Sequence, residues 1–294
     1  MTAILQQIVN GLSLGSIYAL IALGYTMVYG IIKLINFAHG DIYMVGAYVA
    51  FFAVSLYNMN LGVALLLAML VAAGTGVLIE RVAYRPLRNA PRIAALITAI
   101  GVSFILENGG ILVLKPDPRA FPDPIQWRQI RLLGGGLVLS TQDLFIVGVT
   151  VAMMLLLVYF VQRTRTGRAM RAVAYDMQAA ALMGIDVDRT IAVTFAVGSA
   201  LAAVAGLLVG LYYNRIDPLM GLIPGLKAFI AAVLGGIGSI PGAMLGGYLL
   251  GVIEALVGGT QFSLFRDAVS FALLILILLV RPAGLLGRNV REKV

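Results

Sequence analysis

Long apolar runs, separated by short polar linkers, make up most of the chain. A helix needs roughly 20 such residues to cross the ~30 Å hydrocarbon layer of a membrane, and most runs approach that length. Because lipid offers the backbone no hydrogen-bond partners, helices are favoured over an open sheet. Nine runs are candidate helices: 4–29, 42–57, 61–79, 93–114, 144–162, 190–213, 222–237, 241–258 and 268–280.

This pattern predicts an all-α fold, a polytopic integral membrane helix bundle that forms one transmembrane domain over residues 1–294. The number of helical passes is eight or nine. An even number of crossings must connect 163–189 to the tail, so either 222–237 is a full span or one of its neighbours is re-entrant. The pattern leaves both arrangements open.

Composition excludes several other classes. Hydrophobic residues make up 61% of the chain and charged residues 12%, with a mean hydropathy of +1.00, whereas soluble domains carry about 25% charged residues. The absence of cysteine excludes disulfides and thiolate sites. The net charge is +8, but the basic residues lie between apolar runs, which indicates a role in membrane topology rather than in nucleic-acid binding. The first charge is Lys33, so we expect the first run to be retained as a helix.

Arginines are concentrated in three segments, 80–92, 163–189 and the tail after 281. The positive-inside rule places such segments, and with them the C-terminus, in the cytoplasm. The linker 115–143 contains four prolines and is expected to be an ordered external loop that is not helical at its start. Ser140 or Thr141 is placed to cap the helix that follows.

A short pattern recurs in opposite halves of the chain. Gly15-Ser16-x-x-Ala19-x-x-Ala22 in the first run matches Gly198-Ser199-x-x-Ala202-x-x-Ala205 in the sixth. The predicted topology runs these two segments in opposite directions, which is the arrangement of an inverted repeat in transporters, although chance explains the match equally well. The glycine-rich break 235–242 is the expected counterpart of the break near Gly40, with an insertion of about 15 residues between the halves.

The polar stretch Lys33–Asp41 interrupts the first two runs and contains the single histidine. Non-helical backbone at membrane depth is tolerated where it lines a cavity, so Asn36, His39 and Asp41 are candidates for a path through the bundle. The alternative is an ordinary turn in which Asp41 caps the next helix. No second histidine or cysteine exists to complete a metal site.

Three further ionisable residues lie within apolar runs. Glu107 and Glu254 are expected to face a cavity or to form interhelical hydrogen bonds, because unpaired charges in lipid cost several kcal/mol. Lys227 is expected near an external end, where its side chain reaches the interface. No phosphate-binding loop of the G-x-x-x-x-G-K-[ST] type occurs, so any nucleotide chemistry belongs to another chain.

A run of good helix formers from about 169 to 183, followed by Gly184 as a stop, predicts one helix in the cytoplasmic loop 163–189. Such a helix is suited to docking on a soluble partner. The alternative is a connector whose arginines contact lipid phosphates.

Three segments carry a family resemblance: Gly24–Asp41, Val233–Gly247 and Arg281–Gly287. In these segments, and over nearly the whole chain, the sequence resembles the H-type permease subunit of bacterial branched-chain amino acid ABC importers. The resemblance implies a second, M-type permease, two ATPase subunits that hold ATP and magnesium, and an external substrate-binding protein. It also implies the inner membrane as the location and no cofactor in this chain.

The resemblance extends to a docking segment for the ATPase. Gln178-Ala179-Ala180-x-x-x-Gly184 resembles the E-A-A-x-x-x-G loop of importer permeases, with Gln178 where the loop has glutamate. Arg171 and Asp176 lie beside it, and Asp176 is the candidate to supply the missing charge. Our candidates for the wall of a translocation path are Asn36, His39, Asp41, Glu107 and Ser239. The alternative is that these residues are structural, because a permease that receives its substrate from a binding protein need not hold a tight site.

Other functions remain as alternatives. The same machine could import urea or short amides, and a solitary secondary transporter or channel would also show polar breaks but has no need of a docking helix. A membrane-embedded enzyme is disfavoured, because one histidine and two isolated glutamates do not make a catalytic set. We therefore expect a transport subunit that is not itself an enzyme.

Overall fold

Eleven α-helices and one β-hairpin are present in the computed structural model, which describes residues 2–88, 90–123, 125–132 and 136–287. The first group of helices comprises α1 (Thr2–Ile32), α2 (His39–Ser55), α3 (Leu61–Ile79) and α4 (Arg92–Leu114). After the strands β1 (Gln129–Leu132) and β2 (Leu137–Ser140) come α5 (Thr141–Arg163), α6 (Arg165–Tyr175), α7 (Met177–Leu182), α8 (Val187–Tyr213), α9 (Leu222–Gly235), α10 (Ile240–Gly258) and α11 (Arg266–Val280).

A helix is present at each of the nine predicted apolar runs, with ends shifted by a few residues. Within the described ranges, seven helical segments are long and apolar enough to cross a membrane. They are α1, α3 with its continuation to Leu87, α4, α5, α8, α10, and α11 with the turn before it. The two others are shorter: α2, with 17 residues, is at the lower limit of the length that crosses a bilayer, and α9, with 14, is below it. The chain is thus a polytopic membrane helix bundle, as predicted.

The linker 115–143 is not helical at its start, as expected, and its described residues include the β-hairpin before α5 begins at Thr141. β1 and β2 pair antiparallel with Gln129 opposite Ser140. Ser140 is the N-cap of α5 and forms a capping box with Asp143, so the predicted cap is confirmed. The side chain of Gln6 on α1 accepts a hydrogen bond from the Val138 amide and donates one to its carbonyl, at 2.8 and 2.9 Å. We call this side of the bundle the hairpin end.

The opposite side, which we call the arginine-rich end, contains 80–88 and the connection 163–187. A π-helical turn, Glu80–Tyr84, continues α3 there without a break. The guanidinium of Arg88 pairs with both Glu80 and Asp188, and that of Arg85 also pairs with Asp188. These ion pairs connect the end of α3 to the start of α8.

Helix pairing follows the symmetry that an inverted repeat predicts. The first half of the repeat comprises α1, α2 and α3, and the second comprises α8, α9 and α10. α1 packs along α10 and α8 packs along α3, so the first helix of each half contacts the third helix of the other half. Gly15 lies against the backbone of Tyr248 in the first pair, and Gly76 lies against Ser199 in the second. Small residues at these positions let the helix backbones approach closely.

The structure corrects the predicted position of the second break. Gly198 follows Gly15 by 183 residues, and the start of α9 follows the start of α2 by the same 183 (198 − 15 and 222 − 39). At this offset 33–38 corresponds to 216–221, which lies within the 214–221 segment between α8 and α9, so no insertion separates the halves. The glycine-rich 235–242 segment is instead the tight turn between α9 and α10, where Gly235 and Gly242 are in backbone contact.

Candidate functional site

The first turns of α2 and α9 meet inside the bundle. Gly40 of α2 packs on the backbone of Gly221 and Gly225 at the start of α9. The N-cap positions, Ala38 and Gly221, make no side-chain cap hydrogen bond. The positive ends of two helix dipoles are thus brought together in the buried interior, an arrangement that attracts negatively charged groups.

A cavity of about 220 Å³ lies beside this junction, and we call it the core cavity. Two carboxyl side chains, Asp41 and Glu107, contribute to its wall, and Ser103 donates a hydrogen bond of 2.5 Å to Asp41. Phe37 and Phe104 are among its apolar lining. Its volume is below the roughly 300–1,000 Å³ of typical ligand pockets, so in the described conformation this cavity is smaller than an open binding site.

Asp41 does not have the capping role that the turn interpretation assigned to it. It lies within the first turn of α2, whose N-cap is Ala38, and its carboxylate accepts the hydrogen bond from Ser103 on α4. The reason is geometric: α2 begins three residues earlier than its apolar pattern suggests, which turns Asp41 toward the neighbouring helix.

Asn36 and His39 lie next to the core cavity but do not line it. Asn36 accepts a hydrogen bond of 3.1 Å from the Tyr84 hydroxyl, which connects the break to the end of α3. His39 is 1% exposed and packs edge-on against the ring of Tyr25, with 4.8 Å between ring centroids. Within the described residues, neither imidazole nitrogen has a hydrogen-bond partner.

Ser239 lies apart from the other four candidates. It is the N-cap of α10, where its hydroxyl accepts a hydrogen bond of 3.2 Å from the Gly242 amide. The neighbouring Gly238 packs near Gly30 of α1, toward the arginine-rich end. The structure therefore brings Asp41 and Glu107 together in one cavity, places Asn36 and His39 beside it, and gives Ser239 a capping role.

A buried charge network involves a residue that the sequence reasoning missed. Lys227 on α9 contacts Glu254 on α10 at 2.5 Å and Asp267 on α11 at 2.7 Å. Glu254 also accepts a hydrogen bond of 2.9 Å from the Tyr18 hydroxyl. The expectation that Lys227 reaches the interface was wrong, because the two carboxylates pair it while it is 5% exposed. Lys227 and Glu254 could be identified from the sequence, because each is a single charged residue within an apolar run. No sequence pattern identified Asp267 as part of the network.

The comparisons with known proteins agree with this architecture. The family model described as branched-chain amino acid transport system / permease component matches residues 7–278. The chain belongs to this family. It is 50% identical to the high-affinity branched-chain amino acid transport system permease protein LivH of Escherichia coli (strain K12) and to that of Salmonella typhimurium, over 99% of this chain and 97% of each relative. It is 49% identical to the corresponding protein BraD of Pseudomonas aeruginosa, over 99% and 98% of the two chains.

In this branched-chain amino acid permease, the predicted cytoplasmic helix is two helices. The prediction of one continuous helix over 169–183 was wrong, because Asp176 breaks it. Asp176 has extended backbone angles and its side chain accepts a hydrogen bond of 2.9 Å from the Ala179 amide. Aspartate favours such N-cap positions over helix interiors. The predicted stop is confirmed, since α7 ends at Leu182 and Gly184 has a φ of +81°.

The permease exposes several large apolar side chains around this break. Tyr175 is 95% exposed, and Leu182 and Met183 are similarly uncovered. Gln178 and Ala179 are exposed beside them, whereas Ala180 is buried against the bundle. Arg171 donates a hydrogen bond to the Val161 carbonyl and thereby ties α6 to the end of α5. The surface of α6 and α7 is thus anchored on one side and open on the other.

Proposed function

We propose that this chain is the inner-membrane permease subunit of an ATP-driven ABC importer. It takes branched-chain amino acids from a periplasmic binding protein and moves them into the cytoplasm by alternating access. One observation carries the proposal: two half-helices begin at a cavity lined by Asp41 and Glu107. Transporters place substrate sites at such junctions, near the midplane and between the halves of a repeat.

The chemistry of the core cavity suits a zwitterion with an apolar side chain. The carboxylates of Asp41 and Glu107 attract an α-ammonium group, and the first turns of α2 and α9 attract an α-carboxylate. The rings of Phe37 and Phe104 offer the apolar surface that the side chain needs. Asn36, His39 and Ser239 support this path by fixing the segments that surround it.

The exposed surface of α6 and α7 is the proposed docking site for an ATPase subunit. Its polar contacts come from Asp176 and Gln178, and Arg171, Ala179, Ala180 and Gly184 hold its shape. α6 packs on α1, α5 and α8, so a displacement of the docked partner reaches three helices of the bundle. ATP and magnesium belong to two such partner subunits, where hydrolysis takes place, and a second, M-type permease completes the pore.

This proposal fixes the sides of the membrane. The arginine-rich end, with the loop 163–189 and the C-terminus, faces the cytoplasm, and the hairpin end, with the loop 115–143, faces the periplasm. Exposed arginines on the first side support this orientation, since short cytoplasmic loops carry an excess of basic residues.

Uptake of labelled leucine into proteoliposomes tests the function. The liposomes contain the purified complex, with and without ATP inside and with and without the external binding protein. We expect uptake that requires both, with isoleucine and valine as competitors. Uptake that persists without ATP and follows an ion gradient would identify a solitary secondary transporter, and competition by urea or acetamide but not valine would reassign the cargo.

A further inference from the structure

A second cavity opens at the hairpin end of the bundle, and we call it the vestibule. Its volume is about 680 Å³, within the roughly 300–1,000 Å³ range of small-molecule sites. Ile223 and Lys227 of α9 line the vestibule, whereas Gly221 and Gly225 of the same helix line the core cavity. The first two turns of α9 therefore form the wall between the two cavities.

Charged side chains of both signs line the vestibule: the bases are Arg215, Lys227 and Arg266, and the acids are Asp217, Glu254 and Asp267. Lys227 contacts two of these carboxylates, Glu254 and Asp267. These three side chains carry one excess negative charge among themselves, and the other three charged lining residues carry one excess positive charge. Glu254 is buried, but the side chain of Asp267 is 58% exposed and accessible from the open cavity. A zwitterion entering from the hairpin end therefore meets an exposed carboxylate for its ammonium group and cations for its carboxylate.

A buried hydroxyl group in the vestibule lacks a partner. Tyr43 of α2 is fully buried and lines this cavity. In the described part of the chain, nothing donates to or accepts from its hydroxyl. A buried hydroxyl without a hydrogen bond costs free energy, so this group is suited to contact a polar atom of a ligand.

Apolar side chains form another part of the vestibule wall. Leu219, Ile223 and Leu264 all line it. Ligand sites typically combine such a wall with a few polar groups that fix orientation. In this cavity the polar groups are three cations, three carboxylates and several hydroxyl groups, Tyr43 among them. The cations and the carboxylates are the complements of an α-carboxylate and an α-ammonium.

We propose that the vestibule binds a free α-amino acid with an apolar side chain, before it passes α9 into the core cavity. The inference rests on the proposed function. The ligand ammonium pairs with Asp267, and its carboxylate pairs with Lys227 and accepts a hydrogen bond from Tyr43. This exchange replaces the Lys227–Asp267 ion pair and so releases α9 from α11. The vestibule is thus the first of two sites along one path.

Equilibrium binding of tritiated leucine to the purified complex in lipid nanodiscs provides the first test. Binding is measured without ATP and without the external binding protein. We expect saturable binding that Asp267→Asn and Tyr43→Phe each weaken about tenfold or more. Tyr43→Phe keeps the ring in place, so its effect reports on the hydroxyl rather than on packing. Asp123→Asn is the matched control, because Asp123 is an exposed carboxylate at the same end outside the cavity.

Photo-crosslinking locates the bound ligand directly. A leucine analogue with a diazirine in its side chain loses N2 under ultraviolet light, and the carbene formed inserts into a neighbouring C–H bond. Mass spectrometry of the digested protein then identifies the labelled residues. We expect labels on Leu219, Ile223 or Leu264, which excess leucine suppresses and Asp267→Asn reduces.

Two results would overturn the vestibule site while leaving the proposed function intact. One is labelling confined to Ile100 and Phe104 of the core cavity, with binding that depends on Asp41 but not on Asp267. The other is ATP-driven uptake in the presence of the binding protein, without any binding or labelling of the vestibule. Conversely, vestibule labelling together with uptake that needs no ATP would overturn the proposed function and retain the site.

Discussion

Gly40 and Gly221 lie in backbone contact where the first turns of α2 and α9 meet. A Cβ added to Gly40 would be 2.5 Å from the Gly221 carbonyl oxygen, closer than any real side-chain carbon approaches. The two glycines therefore allow both half-helices to begin at the same depth. This contact joins the two halves of the repeat beside the carboxylates of the core cavity.

Alanine at Gly221 should separate the half-helices. We expect Gly221→Ala to destabilise the complex by about 1–3 kcal/mol, the usual effect of overpacking, and to lower leucine uptake. Thermal unfolding of the detergent-solubilised complex measures the first effect and proteoliposome uptake the second. Gly74→Ala is the control, since a Cβ at Gly74 meets no atom of the described chain within 4 Å. Equal behaviour of the two variants would contradict the close contact.

The two carboxylates of the core cavity should be needed for transport but not for assembly of the complex. Asp41→Asn and Glu107→Gln keep side-chain size but remove charge, so we expect uptake to fall tenfold or more with the complex still assembled. Size-exclusion chromatography monitors assembly and proteoliposome uptake monitors transport. Ser239→Ala serves as comparison: loss of the N-cap should lower stability by about 1 kcal/mol without abolishing uptake. If Ser239→Ala abolished uptake while Asp41→Asn did not, the translocation path would run past Ser239, toward the arginine-rich end, and not past Asp41.

The contact between Asn36 and Tyr84 predicts a structural effect. Asn36→Ala removes the amide acceptor of the buried Tyr84 hydroxyl and leaves it only the Ile35 carbonyl, at 3.3 Å, so we expect a loss of about 1 kcal/mol. Asn36→Ala combined with Tyr84→Phe should recover part of that loss. A double-mutant cycle on thermal stability measures the coupling. Additive effects would show that the two side chains do not interact.

Two substitutions of Asp176 should distinguish its capping of α7 from a charge contact with the ATPase. Asp176→Ala removes the cap of α7, and we expect loss of about 1 kcal/mol of helix stability and weaker stimulation of ATP hydrolysis by substrate. Asp176→Ser retains a capping oxygen but no charge. Stimulated ATP hydrolysis by the complex distinguishes the two roles: recovery in Asp176→Ser indicates capping, and continued loss indicates a charge contact with the ATPase. Activity unaffected in both variants would exclude Asp176 from docking.

Substitution of Lys227 should cause a large loss of stability. Lys227→Met leaves Glu254 buried without its cation, and removal of one member of a buried ion pair typically costs about 3–5 kcal/mol. The double variant Lys227→Met with Glu254→Gln should be more stable than the single variant, because no buried charge remains unpaired. Asp188→Asn at the arginine-rich end is the comparison; Asp188 is 41% exposed, so its loss should cost about 1 kcal/mol or less.

The chain's local pattern predicted its helices well. All nine apolar runs are helical, the Ser140 cap and the Gly184 stop are present, and the charges within apolar runs at Glu107 and Glu254 are buried. Hydrophobic length, caps and helix breakers act over a few residues, so they are readable without knowledge of the fold. The resemblance likewise depended on contiguous segments, and the family comparison confirms it.

Only the tertiary structure decided which of these elements meet. The sequence alone determined an apolar helix bundle with a polar break near Asp41, but it could not join Asp41 to Glu107 or Lys227 to Asp267, residues that lie far apart in the chain. It also misplaced the second break, because 214–221 lacks the glycine-rich signature of 235–242. Whether a break is a surface turn or the wall of a cavity depends on the packing of helices from both halves, and that packing is a property of the folded chain.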